Sequence, residues 1–192
     1  MKEVTAPLIS DAAGKRYGLP GIRHIAGPTP VVGRALTVKV EGKDWGIVVE
    51  AVDEADEGDV LVIKPEDGIR AFWGGLSSLS AVEKGLAGTV VDGLVRDVED
   101  IEELNYPVFA RGTTCQAGSH ASRGEIGVDV YIGGVLVRTG DVIVADKSGV
   151  VVVPGDEWED VLEAAKEIHE LESKVAADVR DGKPWREILR QI

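Results

Sequence analysis

Two hydrophobic rhythms run along this chain. Gly33-Arg34-Ala35-Leu36-Thr37-Val38-Lys39-Val40 alternates with period two and predicts a strand. The unbroken run Val60-Leu61-Val62-Ile63, introduced by Gly58-Asp59, predicts a short buried strand. Leu76, Leu79 and Val82 are three residues apart and predict a helix that ends at Gly85, a natural C-cap. Residues 88–92 then read as a strand, 98–104 as a short helix and 107–110 as another strand. This alternation over 59–110 points to parallel βαβ pairing. Upstream, Thr5–Tyr17 holds a short helix stopped by Gly18 and Pro20. Residues 44–56 fit helix or strand, the acidic tail favouring helix.

The second half changes character. Residues 112–124 are polar and Gly-rich and read as a loop. Val128–Ile132 and Val135–Arg138 alternate around Gly133-Gly134, a two-residue hairpin signal. Val142-Ile143-Val144 and Val150-Val151-Val152-Val153 complete a set of three or four antiparallel strands. From Asp156 the period becomes helical, with Val161, Ala165, Ile168, Leu171, Val175 and Val179 on one stripe until Gly182-Lys183-Pro184. A helix of about 24 residues is roughly 36 Å long, more than one face of a small domain needs, so its far end is expected on a neighbouring subunit. A short helix, Trp185–Leu189, closes the chain.

The length of 192 residues is about that of one domain. With 44% hydrophobic residues and only nine aromatics, Val, Leu, Ile and Ala must fill the core, and disorder as the main state is excluded. Acidic side chains outnumber basic ones 34 to 21, and the net charge of −13 repels phosphate backbones and anionic lipid. Neither nucleic acid nor a membrane is an expected partner. The N-terminus carries no basic run followed by an apolar stretch, so no secretory signal is expected and the reading is a cytoplasmic domain. The single Cys115 rules out an internal disulfide framework.

Chemistry-bearing residues are few. In Val91-Asp92-Gly93-Leu94-Val95-Arg96-Asp97 a buried strand ends and an Arg-Asp pair precedes a helix, where ligands of α/β sheets tend to bind. Asp97 equally suits a plain N-cap, with Asp100 favouring the helix dipole. Gly74-Gly75-Leu76-Ser77-Ser78 leaves helix N-terminal amides open to a carboxylate or phosphate, without the ending of a Walker loop. A Cys115–His120 dyad is conceivable within the polar loop. His24, His120 and His169 lack metal-ligand spacing. The acids Glu99, Asp100, Glu102 and Glu103 read as a solvated helix face.

These residues, in order and spacing, resemble the RraA-like family. The resemblance rests on Trp73-Gly74-Gly75-Leu76, on Ala87–Asp97 and on Pro107–Gly112. It continues through Gly133-Gly134-Val135, Arg138–Asp141, Ala145-Asp146 and Gly149–Pro154 into Glu172 and Gly182-Lys183, about residues 5–190. That family includes metal-dependent 4-hydroxy-4-methyl-2-oxoglutarate aldolases that release pyruvate, and regulators of ribonuclease E activity.

The resemblance implies a mixed α/β fold: a β/β/α layered sandwich with a βαβ half, an antiparallel half and a long C-terminal helix. Residues 1–192 would form one domain, with 156–192 an extension at a subunit interface of a homotrimer or homohexamer. It implies a divalent cation, Mg²⁺ or Mn²⁺, held by Asp97, and a small 2-oxo acid substrate. Arg96 would contact the substrate's carbonyl side, and Gly75, Leu76, Ser77 and Ser78 would receive its carboxylate. Glu172 would reach a neighbouring subunit's site. Aldolase members carry an aspartate, ordering a metal-bound water, where this chain has Gly75. Gly75→Asp is therefore expected to raise lyase activity. The alternative reading is a non-catalytic regulator that binds a ribonuclease or another protein.

Overall fold

The computed structural model describes residues 4–188 and 190. Helix α1 (Ala6–Ala12) is capped by Thr5, whose hydroxyl accepts from the Leu8 N–H, and it ends sooner than predicted, at Gly14 and Lys15 with positive φ. Strand β1 (Arg23–Ala26) follows and was not anticipated: four mixed residues at a sheet edge carry no clear alternation. Strand β2 (Val31–Val40) matches the period-two run, and residues 46–54 resolve as helix α2 (Gly46–Glu54). Then come β3 (Val60–Pro65), α3 (Gly75–Lys84), β4 (Gly88–Val95), α4 (Val98–Glu103) and β5 (Val108–Thr113). Gly85 caps α3 in the left-handed conformation, as its position predicted.

Short β6 (Gly124–Ile126) emerges from the end of the polar loop, a strand the Gly-rich composition concealed. Strands β7 (Val130–Ile132) and β8 (Val135–Val137) form the hairpin around Gly133-Gly134, and β9 (Val142–Asp146) and β10 (Gly149–Val153) form a second one. Helix α5 (Trp158–Arg180) and the short α6 (Trp185–Ile188) complete the fold. The predicted end of that last helix, Leu189, lies outside the described residues.

One mixed sheet organises these elements, in the order β1-β5-β4-β3-β2-β9-β10, with β6 added beside β2. Strands β2, β3, β4 and β5 are mutually parallel and the other pairings antiparallel. Ten-residue β2 joins the halves: Val31–Arg34 pairs with β9, Val38–Val40 with β6. The ends of the order, β1 and β10, touch, so the sheet nearly closes on itself.

Three apolar clusters result. One lies between α2, α3, α4 and the parallel strands, built around Leu61, Ile63, Phe72, Val91 and Ile101. A second fills the concave inside with Val62, Val90, Phe109, Ile143 and Val152 and is plugged by the β7–β8 hairpin. The third packs α1 and the first turns of α5 on β9 and β10 through Ile9, Val144, Val153, Val161 and Ala165. Beyond Ile168 no residue of α5 is buried, so the second half of that helix stands off the body. Among the described residues no helix is long and apolar enough to cross a membrane.

Candidate active site

The Arg-Asp pair leaves the carboxyl end of β4 next to a register shift. Val91 pairs with Ala110 and Leu94 with Gly112, so three steps on β4 oppose two on β5 and Asp92-Gly93 form a bulge. Bulges re-aim the residues that follow. Asp97 then takes φ 56° and ψ 46°, left-handed for a residue with a side chain. This corrects the plain N-cap reading: the Asp97 carboxylate makes no cap bond to α4. It turns instead to the start of α3, where Oδ2 accepts from the Gly75 N–H at 3.2 Å and lies 3.3 Å from Arg96 Nε. Strained backbone of this kind persists where the surroundings over-determine it, commonly at functional sites.

The glycines at 74 and 75 make this approach possible. A Cβ on Gly74 would lie 2.7 Å from Asp97 Oδ2 and 3.2 Å from Arg96 Cγ. A Cβ on Gly75 would lie 2.9 Å from Asp100 Oδ2 and 3.0 Å from Asp100 Cβ. Helix α3 has no side-chain cap. Its Gly75 amide is taken by Asp97, while those of Leu76 and Ser77 have no partner among the described residues. Two amides at a helix N-terminus, beside an arginine, favour a carboxylate.

Trp45, Ala71, Phe72, Trp73, Gly74, Leu76, Ser77, Arg96, Asp97 and Ala117 line one cleft of about 420 Å³, much of it open to solvent. Of the residues the sequence nominated, it brings together Arg96, Asp97, Leu76 and Ser77, with Gly75 bonded to Asp97 behind the rim. Ser78 is the correction. It is fully buried, its N–H donates to the Gly74 carbonyl, and its hydroxyl accepts from Trp73 Nε1 at 2.7 Å and donates to Gly74 at 3.0 Å. It therefore fixes the glycine turn from behind and offers nothing to the cleft. Glu172 is not brought to the cleft within this chain; it lies on exposed α5 beside Leu171, Val175 and Trp185. A larger hollow near α1, about 780 Å³, is lined by Pro7, Leu19, Pro20 and Val150 among others and carries no titratable side chain.

Sequence reasoning missed the opposite wall. The extended segment 71–73 pairs with both sides: the Phe72 N–H donates to Leu94 and the Ala71 N–H to Gln116. The loop carrying Ala117 is pinned by buried Asp44, which accepts from the amides of Gly46, Ala121 and Ser122. Burial works against a charged Asp44, but these three donors outweigh it and hold its carboxyl below the ordinary range. Trp45 stacks on His120 and donates to Gly118. His120 is thus committed to Trp45, and Cys115 is exposed on the same loop. No local motif announces the pinning of this loop, since the contacts of Asp44 and Trp45 with Gly118, His120, Ala121 and Ser122 join residues more than seventy positions apart.

Behind the cleft, Trp73 stacks on Tyr106, whose hydroxyl meets that of Thr89 at 3.0 Å. Burial pushes the Tyr106 phenol far above its usual value, so this support is neutral. Among the described residues no group of three or more His, Cys, Asp or Glu side chains could enclose a metal ion. A cation here would have to be one that keeps most of its waters, which is the behaviour of Mg²⁺ at a single carboxylate.

A protein of Halalkalibacterium halodurans provisionally named a 4-hydroxy-4-methyl-2-oxoglutarate aldolase is 44% identical over 167 residues, which is 86% of this chain and 80% of that one. The crystal structure of an uncharacterized protein from Pseudomonas syringae pv. tomato superposes with a TM-score of 0.90 at 28% identity, covering all of this chain and 91% of the other. The RNA-processing inhibitor RraA from Thermus thermophilis superposes with a TM-score of 0.72 at 28% identity, covering 79% and 93%. The family model described as RraA-like, Aldolase/RraA, matches residues 6–152, from α1 to the last strand but not α5. The chain belongs to the RraA-like family.

Proposed function

We propose that this protein is a divalent-cation-dependent lyase that cleaves a C–C bond of a 2-oxo acid and releases pyruvate. It would act as a 4-hydroxy-4-methyl-2-oxoglutarate aldolase, an oxaloacetate decarboxylase or both. The observation that carries the reading is the convergence of three features in one cleft: the carboxylate of Asp97 on its left-handed backbone, the Arg96 guanidinium and the open amides of Leu76 and Ser77.

Each group has a part. The Leu76 and Ser77 amides receive the substrate carboxylate and fix the 2-oxo group towards Arg96 and Asp97. Asp97 would hold Mg²⁺ or Mn²⁺, an oxygen-preferring cation that one carboxylate, retained waters and a chelating 2-oxo acid can satisfy. When bound, that cation supplies Lewis-acid polarisation of the ketone. As the C3–C4 bond breaks, its electron pair stays on pyruvate's methylene carbon while the 4-hydroxyl gives its proton to water and becomes a carbonyl, or while CO2 departs from oxaloacetate. The enolate oxygen faces Arg96, a charge-assisted donor, and the enolate then takes a proton from water to give pyruvate. Retro-aldol cleavage and decarboxylation of oxaloacetate share that enolate, so one arrangement serves both.

Assembly belongs to the same proposal. Leu76 is 83% exposed, and Leu79 and Val82 continue its stripe along α3; Leu171, Val179 and Trp185 form a second exposed apolar stripe on α5 and α6. Two such stripes support a trimer or a dimer of trimers in which α5 carries Glu172 towards a neighbour's cleft.

A second reading, a non-catalytic regulator that binds another protein, is favoured by Gly75, which supplies no acid, and by the likeness to the RNA-processing inhibitor. Pyruvate release from oxaloacetate and from 4-hydroxy-4-methyl-2-oxoglutarate, with Mg²⁺ or with EDTA, separates the two. Turnover abolished by EDTA selects the lyase; none under either condition selects the regulator.

A further inference from the structure

We infer that Asp92 is a positioning residue for the Arg96–Asp97 cleft: held from both sides by Lys64 and Arg111, it fixes the direction in which β4 leaves its bulge. The inference rests on the lyase reading only where turnover is measured. Asp92 does not line the cleft. It follows Val90 on the concave face of the sheet, whereas the cleft residues Phe72 and Trp73 belong to the cluster on the helix side. The backbone ladder lapses at this point. Strands β3 and β4 pair as far as Ile63 and Val91, β4 and β5 resume at Leu94 and Gly112, and Asp92 and Gly93 have no register partner on either side. Side chains bridge the gap. Lys64 on β3 donates through Nζ to Asp92 Oδ2 at 2.5 Å, and the Arg111 guanidinium on β5 forms an ion pair with Oδ1. The strands run so close here that a Cβ on Gly93 would lie 2.7 Å from Pro65 Cγ.

Stability alone does not account for this tie. The Asp92 side chain is 1% exposed, and its Oδ1 has no aligned hydrogen-bond donor among the described residues. A buried ion pair contributes little net stability over an apolar replacement, and its best-attested use is to fix register. Register matters here because both walls of the cleft hang from Leu94, Val95 and Arg96. The Phe72 N–H donates to Leu94, the Thr114 N–H to Val95, and the Arg96 N–H to Trp73. Asp97 comes next, with its Oδ2 against the Gly75 N–H. A slip at Asp92 would carry the walls, the guanidinium and the carboxylate with it. Displacing reacting groups by about 1 Å costs on the order of a hundredfold in rate, even when the substitution is remote from them.

The test is amide hydrogen exchange, together with the NMR amide resonance of Gly75, in the metal-free full chain. Asp92→Asn keeps the side-chain shape and removes the charge. Lys64→Gln removes one strap at a side chain that reaches solvent, and it decides the matter if Asp92→Asn does not fold. Protection at Phe72, Arg96 and Thr114 is expected to fall about tenfold or more, with Gly75 shifted, while Val62 and Val90, before the bulge, keep wild-type protection. Lys64→Arg, which retains the cation, is expected to match wild type. On the lyase reading, kcat for pyruvate release should fall about a hundredfold in Asp92→Asn with KM little changed. Unchanged protection at Phe72, Arg96 and Thr114 overturns the inference, as does an equal fall at Val62 and Val90, which would make the tie one of global stability. Failure of both variants to fold overturns it on the same ground. A localised loss of protection, in a protein whose wild type releases no pyruvate, supports the inference and rejects only the lyase reading.

Discussion

Asp44→Ala isolates the wall of the cleft from its chemistry. Asp44 Oδ1 accepts from Gly46 at 2.8 Å, the Ala121 N–H reaches both oxygens at 2.8 and 2.7 Å, and Ser122 donates at 3.3 Å. A hydrogen bond to a charged group contributes about 1.5–3 kcal/mol, so the two short contacts set a scale of roughly 3 kcal/mol once the freed amides rehydrate. Because the loss is concentrated on residues 114–123, it raises the open population of that loop roughly a hundredfold, 1.4 kcal/mol being a factor of ten. Trp45 and Ser119 report it cleanly: the Trp45 N–H donates to Ser119 and the Ser119 N–H to Lys43, neither bond involving the Asp44 side chain. Hydrogen-exchange protection at these two amides should fall by about two orders of magnitude, with a rise in KM as Ala117 and Trp45 lose their positions. The pH dependence has a definite sign. The folded-state pKa of Asp44 lies below its ordinary value, so this stabilisation is complete above about pH 4 and is lost as pH falls through the lowered value. Wild-type protection should therefore decline only in that acid range and Asp44→Ala should show no such decline. Unchanged protection at Trp45 and Ser119 in the variant would refute the pinning argument.

Other consequences are equally direct. Arg96→Lys keeps the charge but loses the planar fork, and should lower turnover at least about tenfold while leaving Mn²⁺ affinity near wild type; equal turnover would remove Arg96 from the chemistry. Sedimentation should give a trimer or hexamer at micromolar concentration, and Leu171→Glu with Val179→Glu should dissociate it; a wild-type monomer contradicts the interface assigned to α5. Tyr106→Phe should cost about 1 kcal/mol in urea unfolding, because buried Thr89 loses its hydroxyl partner.

How far the sequence carried the account depended on how local each determinant is. Local patterns located β2 by alternation, β3 by its unbroken apolar run, which is buried on both faces, and α3 and α5 by helical spacing, although the stripe of Leu76, Leu79 and Val82 that marked α3 is its exposed face. Strands β1 and β6 escaped because pairing with β5 and β2, rather than their own pattern, makes them strands. At the site, Arg96, Asp97 and the glycine turn were legible as a motif. The direction of Asp97 was not, since Asp before a helix reads as a cap, and only the tertiary approach of Gly74 and Gly75 turns it away. The acids after Asp97 are exposed, as their pattern predicted, but Asp100 also lies against a glycine 25 positions earlier, which no periodicity encodes.

Asp97→Asn tests the central claim most directly. Asn adopts the left-handed conformation as readily as Asp and still offers an oxygen to the Gly75 N–H, so the metal-free melting temperature should match wild type. What disappears is the charge that would hold the cation. Mg²⁺-dependent pyruvate release should then fall by about two orders of magnitude or more, the equivalent of roughly 3 kcal/mol. Full metal-dependent turnover in Asp97→Asn would contradict the account and leave the Arg96–Asp97 pair a structural turn.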